Sequence, residues 1–243
     1  MRFLNQLYRV ITDAIPASIA GRVDLLRPSL ADAWDGPLNG QQRRREIVRE
    51  IAAALAVDRV IETGTYRGTS TAFFADVFGA PVDSVENDLR FFTYSRRRLA
   101  DYASVSIALG ESRDFLRRLA DRPNASDEVV FIYLDAHWER DLPLREEMEI
   151  IATGWRRAVV MIDDFEVDGD PGYTFDDYGF GRRLTAGYLP PLEGWSPLFY
   201  PAARSAEETG ARRGCCVIAS SALTEVIGRM ASLRSACVAN SDA

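Results

Sequence analysis

Lysine is absent from this chain: all 29 basic residues among its 243 are arginine. That removes the usual amine general base and the Schiff-base nucleophile. Histidine occurs once, at His137, so imidazole chemistry has a single address. Cysteine is scarce; Cys215 and Cys216 are adjacent and Cys237 lies near the end, which gives neither a disulfide framework nor metal-ligand spacing and points to a reduced, cytoplasmic compartment. No apolar stretch approaches transmembrane length, and Asn5, Gln6, Arg9 and Asp13 interrupt the start where a signal-peptide core would lie, so no membrane span is expected. An excess of positive charge is missing too. The net charge of -7 argues against a general nucleic-acid binder.

What is present is enough apolar material, 47% of residues, to fill one large α/β core. Residues 1–40 read as an N-terminal helical extension: Leu4, Leu7, Tyr8 and Ile11 recur at helical spacing before Pro28, Gly36, Pro37 and Gly40 break the pattern. An apolar helix there packs on the main domain or on a second subunit, which leaves a homodimer open. The main domain is set at 41–231. Its first helix, 41–56, carries Ile47, Ile51, Ala54 and Leu55 on one face and arginines on the other; Arg43 to Arg45 and Arg96 to Arg98 read as solvated faces.

From residue 60 the chain alternates. Short strands at 60–61, 82–85, 105–109, 129–134 and 158–162 are separated by helices at 69–78, 90–102, 112–120 and 143–152. The pattern predicts a Rossmann-like, doubly wound α/β sheet, mostly parallel, with helices on both faces and ligands at the carboxyl ends of the strands. Residues 197–200 and 215–219 are expected to form a C-terminal antiparallel hairpin closing one sheet edge, and 232–243 to fray.

The polar residues collect at the predicted strand ends. Glu62-Thr63-Gly64-Thr65-Tyr66-Arg67-Gly68-Thr69-Ser70 turns the first strand into a helix, and its glycines let backbone approach a ligand closely. An acid at the strand end disfavours a pyrophosphate and suits a cationic amino group. Glu86 ends the second strand, where a carboxylate can accept from both ribose hydroxyls; position alone does not separate a dinucleotide from another nucleoside cofactor. Gly110-Glu111-Ser112 gives a polar turn suited to an adenine ring. Asp135 ends the fourth strand and Asp163-Asp164 the fifth. Clustered carboxylates raise one another's pKa unless a cation neutralises them, which points to a hard metal such as Mg²⁺, although Asp also caps helices and turns chains. His137, beside the first of these acids, can take a proton near neutral pH.

Over residues 55–165 these motifs resemble the class I S-adenosylmethionine-dependent methyltransferases, particularly the metal-dependent O-methyltransferases of catechol type and their sugar-modifying relatives. The resemblance implies that Glu62, Gly64, Tyr66, Gly68 and Ser70 contact the methionine part of the cofactor, that Glu86 holds the ribose, and that Ser112 and Trp138 flank the adenine. It also implies that Asp135, next to the cofactor, and Asp163 and Asp164 bind the metal. Catechol-type enzymes commonly have Asn at the last of these positions and place a lysine base after the first Asp. This chain has neither. The sugar-modifying relatives have Asp there and an acid or histidine nearby, which implies His137 as base and a sugar, oligosaccharide or glycosylated metabolite as the hydroxyl acceptor. A phenolic acceptor, an NAD-binding oxidoreductase and a catalytically silent binding protein are the alternatives. Residues 166–188, with Asp168, Tyr173, Phe175, Asp176, Asp177, Tyr178 and Phe180, are either a sugar-stacking lid or a loop packed on the hairpin; Pro37 to Gln41 is a candidate cofactor cover.

Overall fold

The computed structural model describes residues 8, 12, 14–31, 35–137 and 141–236. Most of the expected first helix, together with Trp138 and Cys237, lies outside them. The described helices are α1 (Ala17–Asp24), α2 (Gln42–Ala54), α3 (Thr69–Phe78), α4 (Leu89–Arg98), α5 (Ser112–Ala120), α6 (Leu144–Gly154) and α7 (Thr224–Gly228). The strands are β1 (Arg59–Thr63), β2 (Val82–Glu86), β3 (Val105–Leu109), β4 (Val129–Leu134), β5 (Arg157–Asp163), β6 (Phe199–Pro201), β7 (Cys215–Ala219) and β8 (Leu233–Ser235). Among the described residues no helix is long and apolar enough to cross a membrane.

Local chemistry sets several of these boundaries. Asp88 caps α4 by accepting from the Arg90 and Phe91 amides, and Arg96 to Arg98 sit in the last turn, where the helix dipole favours cations. Gly68 and Gly79, both left-handed, bracket α3. On α1, Gly21 lies so close to the Arg90 carbonyl that any side chain would collide with it. Asp24 then pairs with Arg90 at 2.8 Å, tying this part of the N-terminal extension to α4.

All eight strands form one sheet in the order β3-β2-β1-β4-β5-β7-β6-β8. The first five are parallel. The chain starts at β1, runs outward to β3 and returns to β4, so the topological switch point lies between β1 and β4. Every residue of β4 is buried, as a strand covered on both faces requires. One face packs against α5 and α6 through Phe115, Leu116, Met148 and Ile151. The other packs against α2, α3 and α7 through Ile47, Ile51, Phe74 and Ile227. Each such side chain contributes about 1.5–3 kcal/mol by leaving water.

The expected C-terminal antiparallel pair forms: β6 and β7 pair antiparallel, and β7 joins the parallel strands by pairing antiparallel with β5. The expected fraying at 232–243 is contradicted at 233–235, which form β8, the outermost strand, antiparallel to β6. Leu233 is buried beside Met230 and Ile227, and that apolar anchor holds the segment.

Candidate active site

The turn after β1 brings backbone and carboxylates together. Gly64 (φ 90°) abuts the Asp135 carbonyl, so a side chain there would clash with β4's exit. Tyr66 is itself left-handed (φ 47°), a conformation that non-glycine residues adopt where surrounding contacts hold it. Its ring meets Phe91 edge-on at 4.5 Å between centroids. Gly68 closes the turn against Leu99, and Ser70 Oγ accepts from the Leu38 amide at 3.1 Å.

Two buried acids face this turn. Glu62 accepts from Ser84 Oγ at 2.6 Å and from Thr71 Oγ1, while its second oxygen is buried without a partner. Burial pushes its carboxyl up to about 7. Glu86 bridges the loops after β1 and β2, accepting from the Tyr66 amide at 2.6 Å and the Asp88 amide at 2.8 Å. Ser112 is buried at the start of α5.

The exits of β4 and β5 hold the second group. Asp135, His137 and Asp164 offer ligand atoms within 4.8 Å of one another. The His137 Nε2 lies 3.9 Å from Asp135 Oδ1, 3.7 Å from Asp164 Oδ2 and 3.7 Å from Asp176 Oδ2, yet it is buried with no hydrogen-bond partner. Burial works against protonation here, but Asp164, Asp163 and Asp176 outweigh it and raise His137 above its ordinary value. Asp164 is also withdrawn from solvent; His137 and Arg213 nonetheless hold its carboxyl well below the usual range. Arg213 donates to Asp164 Oδ1 at 2.6 Å and to Asp176. Asp135 is pushed up by burial and by the neighbouring Asp163 and Asp164.

Asp163 does not join this cluster. It is fully buried, and its two oxygens are taken by the Arg44 guanidinium and the Tyr133 hydroxyl. The same contact corrects the reading of Arg43 to Arg45 as a solvated face: Arg44 is 1% exposed and also donates to the Gly214 carbonyl at 2.9 Å. Arg44, Tyr133 and Arg213 were not identified from sequence, and Asp176 only as part of a candidate lid, because no spacing links residues that meet only across the folded sheet.

Residues 166–188 are anchored at a few buried positions and otherwise lie at the surface. Val167, Tyr173 and Leu184 are in the core, whereas Phe180, left-handed between Gly179 and Gly181, stands fully exposed at the tip of a short hairpin bridged by Asp177 and Arg183. Pro37 to Gln41 is docked as well: Leu38 is buried, and the Gln41 side chain exchanges hydrogen bonds with the Arg213 backbone at 2.8 and 2.7 Å.

Solved structures share this architecture. An O-methyltransferase from Bacillus cereus in complex with SAH matches at 15% identity and a TM-score of 0.59, over 88% of this chain and 97% of that one. Cofactor-bound Rv0187 from MTB matches at 20% identity and 0.57, over 85% and 90%. The O-methyltransferase TomG from Streptomyces achromogenes, solved with SAM, matches at 20% identity and 0.52, over 73% and 80%. The fold is that of the class I S-adenosylmethionine-dependent methyltransferases. Identities this low establish the fold alone. No family model matches the chain, and no curated protein matches it.

Proposed function

We propose that this protein is an S-adenosylmethionine-dependent O-methyltransferase acting on a hydroxyl of a sugar, oligosaccharide or glycosylated metabolite, with His137 as general base. One observation carries the reading. The sole imidazole has a buried Nε2 with no hydrogen-bond partner at the exits of β4 and β5, where the Asp135 backbone abuts the glycine turn at Gly64. A buried polar atom without a partner calls for a ligand group to complete it. A hydroxyl proton does so.

On the cofactor side, the unpartnered oxygen of Glu62 suits the methionine ammonium, and the Glu86 carboxylate at the end of β2 suits the ribose hydroxyls. The sulfonium methyl is already activated, so the protein has two tasks: alignment for in-line displacement and removal of the acceptor proton. Bound there, the cofactor would supply a sulfonium methyl for transfer to the acceptor oxygen, and His137 Nε2 would take the acceptor's proton. S-adenosylhomocysteine and a methyl ether result.

A divalent cation fits the cluster, because Asp135 and Asp164 present oxygens toward the same small space beside His137. In this reading those two aspartates would hold it, and Asp163 would act only by fixing Arg44. Bound there, a cation supplies charge that lowers the pKa of the acceptor hydroxyl. One observation favours a second, metal-free version: Arg213 already neutralises Asp164 and Asp176. Full turnover in EDTA assigns the charge balance to Arg213; loss of turnover that Mg²⁺ restores assigns it to the metal.

The test of the main reading is methyl transfer from labelled S-adenosylmethionine to a panel of glycosides and phenols, read by mass. A methylated glycoside supports it. A methylated phenol with untouched glycosides replaces the acceptor class, and S-adenosylmethionine binding with no product anywhere favours a silent binding protein.

A further inference from the structure

Three carboxylates, Asp135, Asp164 and Asp176, surround the His137 imidazole, and the Arg213 guanidinium pairs with two of them. The oxygens are divided between the two cationic side chains. Arg213 takes Oδ1 of Asp164, at 2.6 Å, and Oδ1 of Asp176, while the Oδ2 atoms of both lie 3.7 Å from His137 Nε2. That nitrogen is buried with no hydrogen-bond partner, so the space that gathers the oxygens also presents an unanswered polar atom. Asp176 Oδ2 already accepts from the Tyr178 hydroxyl, which leaves Asp135, Asp164 Oδ2 and His137 to face a ligand. Arg44 keeps Asp163 out of the set.

Arg213 is fixed from its own backbone. Its amide donates to Gln41 Oε1 at 2.7 Å, and its carbonyl accepts from Gln41 Nε2 at 2.8 Å and from Arg44. Gly214, the next residue, lies so close to the Phe165 carbonyl that a side chain there would collide with it. If the guanidinium swings aside it gives up both ion pairs and leaves two partly buried carboxylates without a cation.

We propose that Arg213 is a resident counter-ion that sets how weakly this cluster takes a divalent cation: the ion binds beside the guanidinium and against its charge, not in its place. The proposal rests on the cation reading above. Arg213 and the ion share Asp164, one oxygen each, and two like charges on one partly buried carboxylate repel with little screening. With His137 neutral and the three aspartates ionised, Arg213 cancels one negative charge and leaves the two that a divalent ion neutralises.

Calorimetric titration with Mn²⁺, on the protein without cofactor or acceptor, reads cation affinity apart from turnover. Wild type should bind more weakly than about 100 µM, the weak end of the range for oxygen-ligand sites. Arg213→Gln, which keeps a hydrogen-bond donor but not the charge, should bind at least about ten-fold more tightly, and Arg213→Lys should stay within about three-fold of wild type. Adding Asp164→Asn to Arg213→Gln should abolish the gain, which ties the ion to this cluster. Equal, measurable affinity of wild type and Arg213→Gln overturns the inference, as does a gain that survives Asp164→Asn. Should no variant fold, wild type decides alone, and binding tighter than about 100 µM overturns the inference. Absence of Mn²⁺ binding to folded Arg213→Gln overturns the cation reading itself, a different outcome from equal binding.

Discussion

The two halves of the sheet's carboxyl edge are built differently. On the β1–β2 side the polar groups come from short contiguous runs, Glu62 to Ser70 and Glu86 to Asp88, and backbone amides within those runs donate to Glu86. On the β4–β5 side the groups come from four distant places, at Asp135 to His137, Asp163-Asp164, Asp176 and Arg213, held by Arg44 from beneath. The first half is a local motif and the second a tertiary assembly. Damage should therefore stay confined in the first and spread in the second.

The largest expected effect is on turnover. His137→Ala should reduce kcat by about a hundred- to ten-thousand-fold, the usual contribution of a general base, while S-adenosylhomocysteine affinity changes little. Turnover within a few-fold of wild type would remove His137 from the chemistry. Next comes Arg44→Met, which leaves Asp163 buried and uncompensated and should cost about 3–5 kcal/mol in denaturant unfolding. The double change Arg44→Met with Asp163→Leu should regain part of that loss. If the single and double variants are equally unstable, Arg44 matters through its backbone contacts to 213 and 214 instead.

Glu62 sharpens the contrast from the other side. Its carboxyl keeps a proton up to about pH 7 when folded but only to about 4.5 when unfolded. Between those values the native chain binds the extra proton, so stability falls as pH rises through this window and is level above it. Glu62→Gln should flatten the slope, by at most about 3 kcal/mol for a shift of this size. The apo variant should melt higher than wild type at pH 8 yet bind S-adenosylhomocysteine more weakly. A variant that gains stability and keeps full affinity would mean that Glu62 does not meet the ligand.

The smallest effect is at the hairpin tip. Phe180→Asn, a residue tolerant of the left-handed region, should leave stability within about 0.5 kcal/mol. A rise in acceptor KM with unchanged kcat would show that the tip touches the acceptor; an unchanged KM would leave it as a surface turn.

Much of this was legible in one dimension. The five parallel strands were recoverable because each is a short apolar run between helical repeats, and Glu62, Glu86 and Asp135 were identified because the acid at a strand end stands out against that run. Arg44 was read as solvated because a helix with three successive arginines looks exposed, and nothing in its spacing shows that the middle one turns inward to Asp163. Strand β8 was missed because three residues near the chain end carry too little pattern to be distinguished from a loose tail.

Period and composition by themselves determined the alternation of strands and helices, the absence of a lysine base, and the glycine turn with its flanking acids, since each depends on neighbours within a few residues. Only the tertiary structure decided which aspartates face the imidazole, which one is locked to Arg44, and that Arg213 and Asp176 complete the cluster. The reason is physical: hydrogen bonds and ion pairs act over a few ångströms, and only sheet pairing brings residues so far apart in the chain within that range.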